Sequence, residues 1–305
     1  MQYYSAFQLV IQSELYIPEL LPLAGSSDCK FDVSIKIGKV DRQGIPNPLY
    51  HGLLYQVNEV CFWLTVPDVA RFLISGGNSI IVEPFAGVDE DSIRVFILGS
   101  CMGALLMQRN LFLLHGNAIK VGSNCISFAG NSGVGKSTLS AAFFKRGYSI
   151  LADDVCAVDS IGHVLPSFPQ IKLWLDASTH LKIETEALRK IRPNIDKFAV
   201  PLGTQFHSDP LTLKVVYILQ SHNKDDFEFS TISGMNKLKP LQNNTYRRAY
   251  LKGMGKEKAY FNQCGTLSNQ IHLVNIVRPQ HGFKLDKLVN LIEADIHARG
   301  LIDAC

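Results

Sequence analysis

The chain has 305 residues, of which 47% are hydrophobic and 19% charged, with a net charge of +3. That length suggests about two domains with full cores, and the composition excludes a disordered or fibrous protein. The charge is too small, and too evenly spread, to argue for a nucleic-acid partner.

Residues 1 to about 92 read as a small β-rich domain. Short runs rich in aromatic and β-branched residues predict strands at Phe7–Gln12, Phe31–Ile37, Leu53–Val57, Val60–Val66, Arg71–Ile74 and Ser79–Val82. Turns are expected at Gly25–Asp28, Gly44–Pro48 and Gly76–Asn78. Asp89-Glu-Asp-Ser92 offers an N-cap cluster for an apolar helix ending near Arg109. Its apolar stretch, Val95 to Met107, is too short to span a bilayer, so a buried core helix is expected and no membrane partner. Met1-Gln-Tyr-Tyr carries no basic region before an apolar stretch, and the seven cysteines are odd in number with no C-x-x-C spacing. Both features point to a reducing, cytoplasmic setting without disulfides or zinc.

From residue 93 onward the chain reads as an α/β domain. Leu113–Lys120 and Cys125–Ala129 flank a turn at Val121–Asn124. Gly130-Asn131-Ser132-Gly133-Val134-Gly135-Lys136-Ser137 then matches the phosphate-binding pattern G-x-x-x-x-G-K-[ST]. Such a loop surrounds nucleotide phosphates with backbone N–H groups, while its lysine reaches the outer phosphates and its hydroxyl residue reaches Mg²⁺. A helix over Ser137–Arg146, closed by Gly147, would turn its positive end to the phosphates, with Thr138 in its first turn counted among the nucleotide-binding residues. ATP and Mg²⁺ are the expected ligands.

Tyr148–Val155 predicts a strand beside the loop strand, with Asp153 and Asp154 at its end, 17 and 18 residues after Lys136. Carboxylates there can face Mg²⁺ or take a proton from an acceptor hydroxyl. Neighbouring strand residues point to opposite faces, so only a bulge would turn both inward. His115 closes an apolar run 21 residues before Lys136. Farther on, a helix is expected over Leu181–Arg192 inside a polar, basic stretch, either a solvated face or a peptide-contacting segment. Leu211–Leu219 and Phe227–Ile232 are expected to pair around Ser221–Asp226, and an amphipathic helix carries Leu285, Leu288, Val289, Ile292 and Ile296 on one face. Lys172, Arg189, Arg192, Lys197, Arg247, Arg248 and Arg278 are candidates for steadying the transferring phosphoryl group or holding a substrate, with Lys172 first.

The run Leu114–Asp154 resembles the catalytic domain of HPr serine kinase/phosphorylases. It carries Leu-His-Gly, the phosphate loop, the helix end Lys145-Arg-Gly-Tyr148 and Ala152-Asp-Asp154 in the same spacing. The resemblance implies a P-loop kinase core of the HPr-kinase and phosphoenolpyruvate-carboxykinase type on a mixed twisted sheet, after the β-rich N-terminal domain. It implies that Asp153 is the base, that His115 orients it, and that Asp154 contacts metal or loop. The Glu-Ile-Arg-Gly-Leu-Gly signature of that family is absent, and Ser167–Trp174 takes its place. Nearly end to end, through segments such as Tyr4–Leu20, Val66–Pro84, Phe168–Trp174 and Asn244–Leu251, the chain resembles the HPr-kinase-like group encoded beside lasso peptide genes. That resemblance implies phosphorylation of a C-terminal serine on a precursor peptide; self-association is left open. The alternatives are an HPr-like protein or small-molecule kinase, a non-catalytic nucleotide-binding regulator, and a GTPase. The last is suggested by Asn223-Lys-Asp-Asp226 and Asp159-Ser-Ile-Gly162, but only 22 residues separate Lys136 from Asp159.

Overall fold

In the computed structural model, which describes residues 1–24, 30–280 and 284–302, the first strands form one mixed nine-stranded sheet. They are β1 (Gln2–Ala6), β2 (Leu9–Ser13), β3 (Leu21–Pro22), β4 (Val33–Ile37), β5 (Tyr50–His51), β6 (Tyr55–Val57), β7 (Cys61–Val66), β8 (Ala70–Ser75) and β9 (Ser79–Pro84), ordered β3-β1-β2-β4-β9-β8-β7-β6-β5. The expected turn at Gly25–Asp28 lies outside the described residues, as do Cys29 and Cys305.

The strand expected from Phe7 is displaced. Phe7 and Gln8 take φ values of 53° and 58° and form the two-residue turn of the β1–β2 hairpin. Left-handed backbone at two non-glycine positions is unfavourable, and tertiary contacts hold it there. The Phe7 N–H donates to the Pro166 carbonyl at 2.7 Å, and its buried ring meets Phe168 edge-on at 5.4 Å. The hairpin is thereby docked on the segment that leads to Lys172.

One sheet face is covered by the expected apolar helix. Asp89 caps it, its side chain accepting from Ser92 N–H at 2.7 Å, and the helix runs as α1 (Glu90–Phe96), a π-helical turn (Ile97–Cys101) and α2 (Met102–Gln108). Gly99 and Gly103 line its approach to Tyr246: a Cβ on Gly103 would lie 2.7 Å from the Tyr246 ring. Tyr246 is buried and fixed by a backbone bond to Leu113, so it cannot step aside freely. Gly103→Ala is therefore expected to cost about 1–3 kcal/mol of stability by overpacking, read as a lowered denaturant midpoint; an unchanged midpoint would show that Tyr246 moves.

The rest is α/β. It comprises β10 (Phe112–Val121), β11 (Asn124–Gly130), α3 (Lys136–Lys145), β12 (Ile150–Ala152), β13 (Val155–Val158), β14 (His163–Leu165), β15 (Gln170–Trp174), α4 (Leu175–His180), β16 (Lys190–Arg192), β17 (Ile195–Pro201), β18 (Leu211–His222), β19 (Glu228–Ile232), α5 (Leu238–Asn243), α6 (Tyr250–Gly253), α7 (Glu257–Gln270), β20 (His272–Pro279) and α8 (Leu285–Ala298). In the mixed second sheet β11 lies between β10, antiparallel, and β18, parallel. The fold is thus an α/β core with a phosphate loop on a mixed twisted sheet, preceded by a β-rich region. The expected residues of α8 are buried, Leu285 partly so, in the cluster that also holds α3.

Three expectations are corrected here. The strand before the aspartates, β12, pairs with β10 and not with the loop strand. β18 and β19 do not pair with each other, because β20 lies between them, parallel to the first and antiparallel to the second. The helix expected over Leu181–Arg192 is absent. α4 stops because Lys182 adopts φ 52° and the Ile183 N–H bonds back to Ser178, a Schellman closure. Pro193-Asn194 then turns a β16–β17 hairpin, and β17 joins β15.

Candidate active site

The loop strand β11 is buried along nearly its whole length and delivers the chain to Gly130 at φ 149°. A Cβ there would sit 2.6 Å from the Leu219 carbonyl, so the close approach of β18 requires glycine. Gly135, at φ 102°, precedes α3. Lys136 opens that helix, is 7% exposed, and donates through Nζ to the carbonyls of Gly130 (2.8 Å) and Asn131 (3.1 Å). Burial lowers its pKa against the opposing pull of Asp154 and Asp153. An ammonium held this way gains from an incoming anion.

His115, on β10, stands between the loop and the aspartates. Its Nε2 lies 3.1 Å from Lys136 Nζ, and its Nδ1 lies 3.3 Å from both the Asp154 carbonyl and a carboxylate oxygen. These contacts suit the tautomer with Nδ1–H toward Asp154 and Nε2 accepting from lysine.

The aspartate pair sits in a break between β12 and β13. The Val155 N–H bonds to the Asp153 carbonyl at 2.9 Å, closing a γ-turn with Asp154 at its apex at φ 73°. This strained turn aims both carboxylates at the loop, as a bulge would. Asp153 is 3% exposed and fully engaged: Ser137 Oγ donates to its Oδ1 at 3.1 Å, Asn117 Nδ2 to the same oxygen, and the Lys172 N–H to its Oδ2 at 2.8 Å. Burial raises its pKa, partly offset by the charge of Lys172. Asp154 is only partly exposed, its side chain at 36%, and it faces the front cavity. Burial opposes its ionisation, but the His115 hydrogen bond and the charges of Lys172 and Lys197 prevail and hold its carboxyl well below the usual range.

Three cavities adjoin at the loop. The front one, about 470 Å³, is lined by His115, Asn117, Ser137, Asp154, Trp174 and Lys197 among others. A second, about 370 Å³, shares His115, Ser132 and Asp154 with it and runs to Tyr246 and Arg247. A third, about 470 Å³, lies behind the loop.

Of the basic candidates, Lys172 and Lys197 bear on the aspartates. Arg247, at φ 44°, has its guanidinium over the rings of Tyr246 (5.5 Å) and Tyr250 (5.8 Å) and lines the second cavity. Arg248 points elsewhere, into a groove with Lys252, Glu257 and Phe261. Arg189 is spent on Glu19 and Asp91, both at 2.6 Å, and Arg192 reaches Ser92. Arg278 lies behind the loop. Asn117 belongs to none of the motifs above, yet it holds Asp153. Its signal was present, because residues two apart on a strand share a face, which puts Asn117 beside His115.

The GTPase-like segments are turns. Asp159 accepts from the N–H groups of Ile161 and His163 to close the β13–β14 connection, and Lys224 pairs with Glu228 on an exposed surface. For Mg²⁺, Ser137 Oγ and Asp153 Oδ1 form a pair of hard oxygens, and Asn117 Oδ1 beside them is a buried acceptor without a hydrogen-bond partner. This donor set fits magnesium, which takes one or two protein oxygens and completes its shell with phosphate and water.

No protein-family model matches the chain, and no curated protein matches it. Among solved structures, the Hpr(Ser) kinase/phosphatase from Coxiella burnetii is similar over 62% of this chain and 90% of its own, at 14% identity and a TM-score of 0.30. So distant a likeness leaves the functional reading to the site. Among the described residues, no helix is long and apolar enough to cross a membrane.

Proposed function

We propose that the protein is an ATP- and Mg²⁺-dependent kinase that phosphorylates a serine hydroxyl of a peptide. The observation that carries this reading is the meeting of Lys136 and Ser137 with His115 and Asp154 across one cavity. A donor phosphate held on the loop side would face a proton acceptor on the other.

In this reading the loop N–H groups and Lys136 hold the outer phosphates, and Lys172 and Lys197 offset negative charge on the transferring group. Ser137 and Asp153 would hold Mg²⁺, which supplies charge neutralisation to the phosphates. The acceptor oxygen forms a bond to the terminal phosphorus, the bond from that phosphorus to ADP breaks, and the hydroxyl proton passes to Asp154. The resemblance assigns that proton to Asp153. Geometry favours Asp154 instead: it opens on the cavity, whereas Asp153 is buried with both oxygens already hydrogen-bonded. The low basicity of Asp154 is tolerable where the transition state is loose and the carboxylate mainly orients the hydroxyl.

The C-terminal serine of a lasso peptide precursor is the acceptor that the resemblance favours. Incubating such peptides with enzyme, ATP and Mg²⁺ is expected to add one phosphate by mass spectrometry, lost when the terminal serine becomes alanine. Phosphate appearing instead on an HPr-like protein or a small hydroxyl compound would redirect the acceptor. Phosphate appearing on neither would defeat the kinase reading.

A further inference from the structure

The cavity behind the phosphate loop has no part in the steps above. Its floor is apolar, made by Leu139 of α3, Leu219 of β18, and Leu285 and Leu288 of α8. One wall is Phe227, half-buried just before β19, with Lys287 Nζ 5.7 Å from its ring centre. At about 470 Å³ the space has the size of a small-molecule site, with the expected mixture of apolar walls and a few polar groups. It is continuous with the front cavity, because Gly133, Gly135, Thr138 and Asp176 line both.

Arg278 stands at the junction. Its Nε donates to the Val134 carbonyl and one terminal nitrogen to the Pro279 carbonyl, both at 2.9 Å. Its other terminal nitrogen lies 3.7 Å from where a Cβ on Gly135 would sit. Among the described residues no carboxylate pairs with it, and burial lowers its pKa with no opposing charge. A partly buried guanidinium without a counter-ion is costly, and a phosphate passing from one cavity to the other would supply the missing charge.

We propose that this rear cavity is a nucleoside subsite, in which the base packs on Phe227 over the leucine floor and Arg278 meets the phosphate nearest the sugar. The inference rests on the nucleotide reading of the loop. It adds that the nucleoside turns away from His115 and Asp154, leaving the second cavity to the acceptor.

Calorimetry with ATP and with inorganic tripolyphosphate, each with Mg²⁺, separates the two ideas. Wild type is expected to bind ATP at least roughly tenfold more tightly than tripolyphosphate, the scale of a base–aromatic stack. Phe227→Ala, and separately Leu285→Gln, should remove most of that preference while leaving tripolyphosphate affinity unchanged. Neither side chain is fully buried, so both variants should fold, and a thermal melt checks this. Equal binding of ATP and tripolyphosphate by wild type, or an undiminished preference in both variants, overturns the subsite while the phosphate site stands. Binding of neither ligand by wild type defeats the nucleotide reading, and the subsite with it.

Discussion

Lys136→Ala is expected to weaken ATP–Mg²⁺ binding by at least about a hundredfold, the scale on which removing one charge-stabilising group acts in a sheltered site. The fold should survive. The Lys136 ammonium bonds to two loop carbonyls and to His115 Nε2, none of which shapes the loop, which takes its form from left-handed glycines and the start of α3. Burial already lowers the Lys136 pKa, so losing the charge also relieves a desolvation cost, and the melting temperature should not fall. Calorimetry checks the first point and a thermal melt the second. Wild-type affinity in the mutant would mean that the nucleotide binds elsewhere.

The two aspartates should fail differently. Asp154→Asn is expected to retain ATP–Mg²⁺ binding and lose phosphoryl transfer by at least about a hundredfold, the usual range for a positioned proton acceptor. The amide nearly keeps the shape but cannot take the proton or accept from His115 as a charged partner. Asp153→Asn is expected instead to raise the Mg²⁺ concentration needed for ATP binding. Its carboxylate accepts from the Ser137 hydroxyl on the loop side and is held in place by Asn117 and the Lys172 backbone. The two readouts, magnesium dependence of binding and single-turnover transfer, tell the roles apart. An Asp153→Asn enzyme that binds ATP–Mg²⁺ normally yet transfers nothing, beside an active Asp154→Asn enzyme, would return the base role to Asp153.

Local chemistry made much of this architecture legible from residue types alone. The strand, glycine loop and helix from Asn124 to Lys145 follow from neighbours in sequence, because left-handed glycines and a helix start are set within a few residues. The Asp89 cap and the apolar face of α8 were readable for the same reason. The 181–192 segment departs from the expected helix although Glu184, Glu186, Ala187, Leu188 and Arg189 are good helix formers, because tertiary contacts override that propensity. Glu19 and Asp91, far away in the chain, capture Arg189 once α4 has closed at Lys182. Here the Pro193-Asn194 turn was the better local signal.

The residues Gly130–Ser137, His115 and the Asp153–Asp154 pair were therefore identifiable one by one. Tertiary structure alone decided how they meet. β10 separates β12 from the loop strand and brings Asn117 onto Asp153, and the γ-turn at Asp154 sends two adjacent carboxylates into one site. It likewise divided Arg247 from Arg248 and drove Phe7 into a left-handed turn against Phe168. The reason is physical. Backbone preference acts over a few residues, whereas strand order and the burial of charge depend on partners tens of residues away or more, whose packing energy outweighs the local choice.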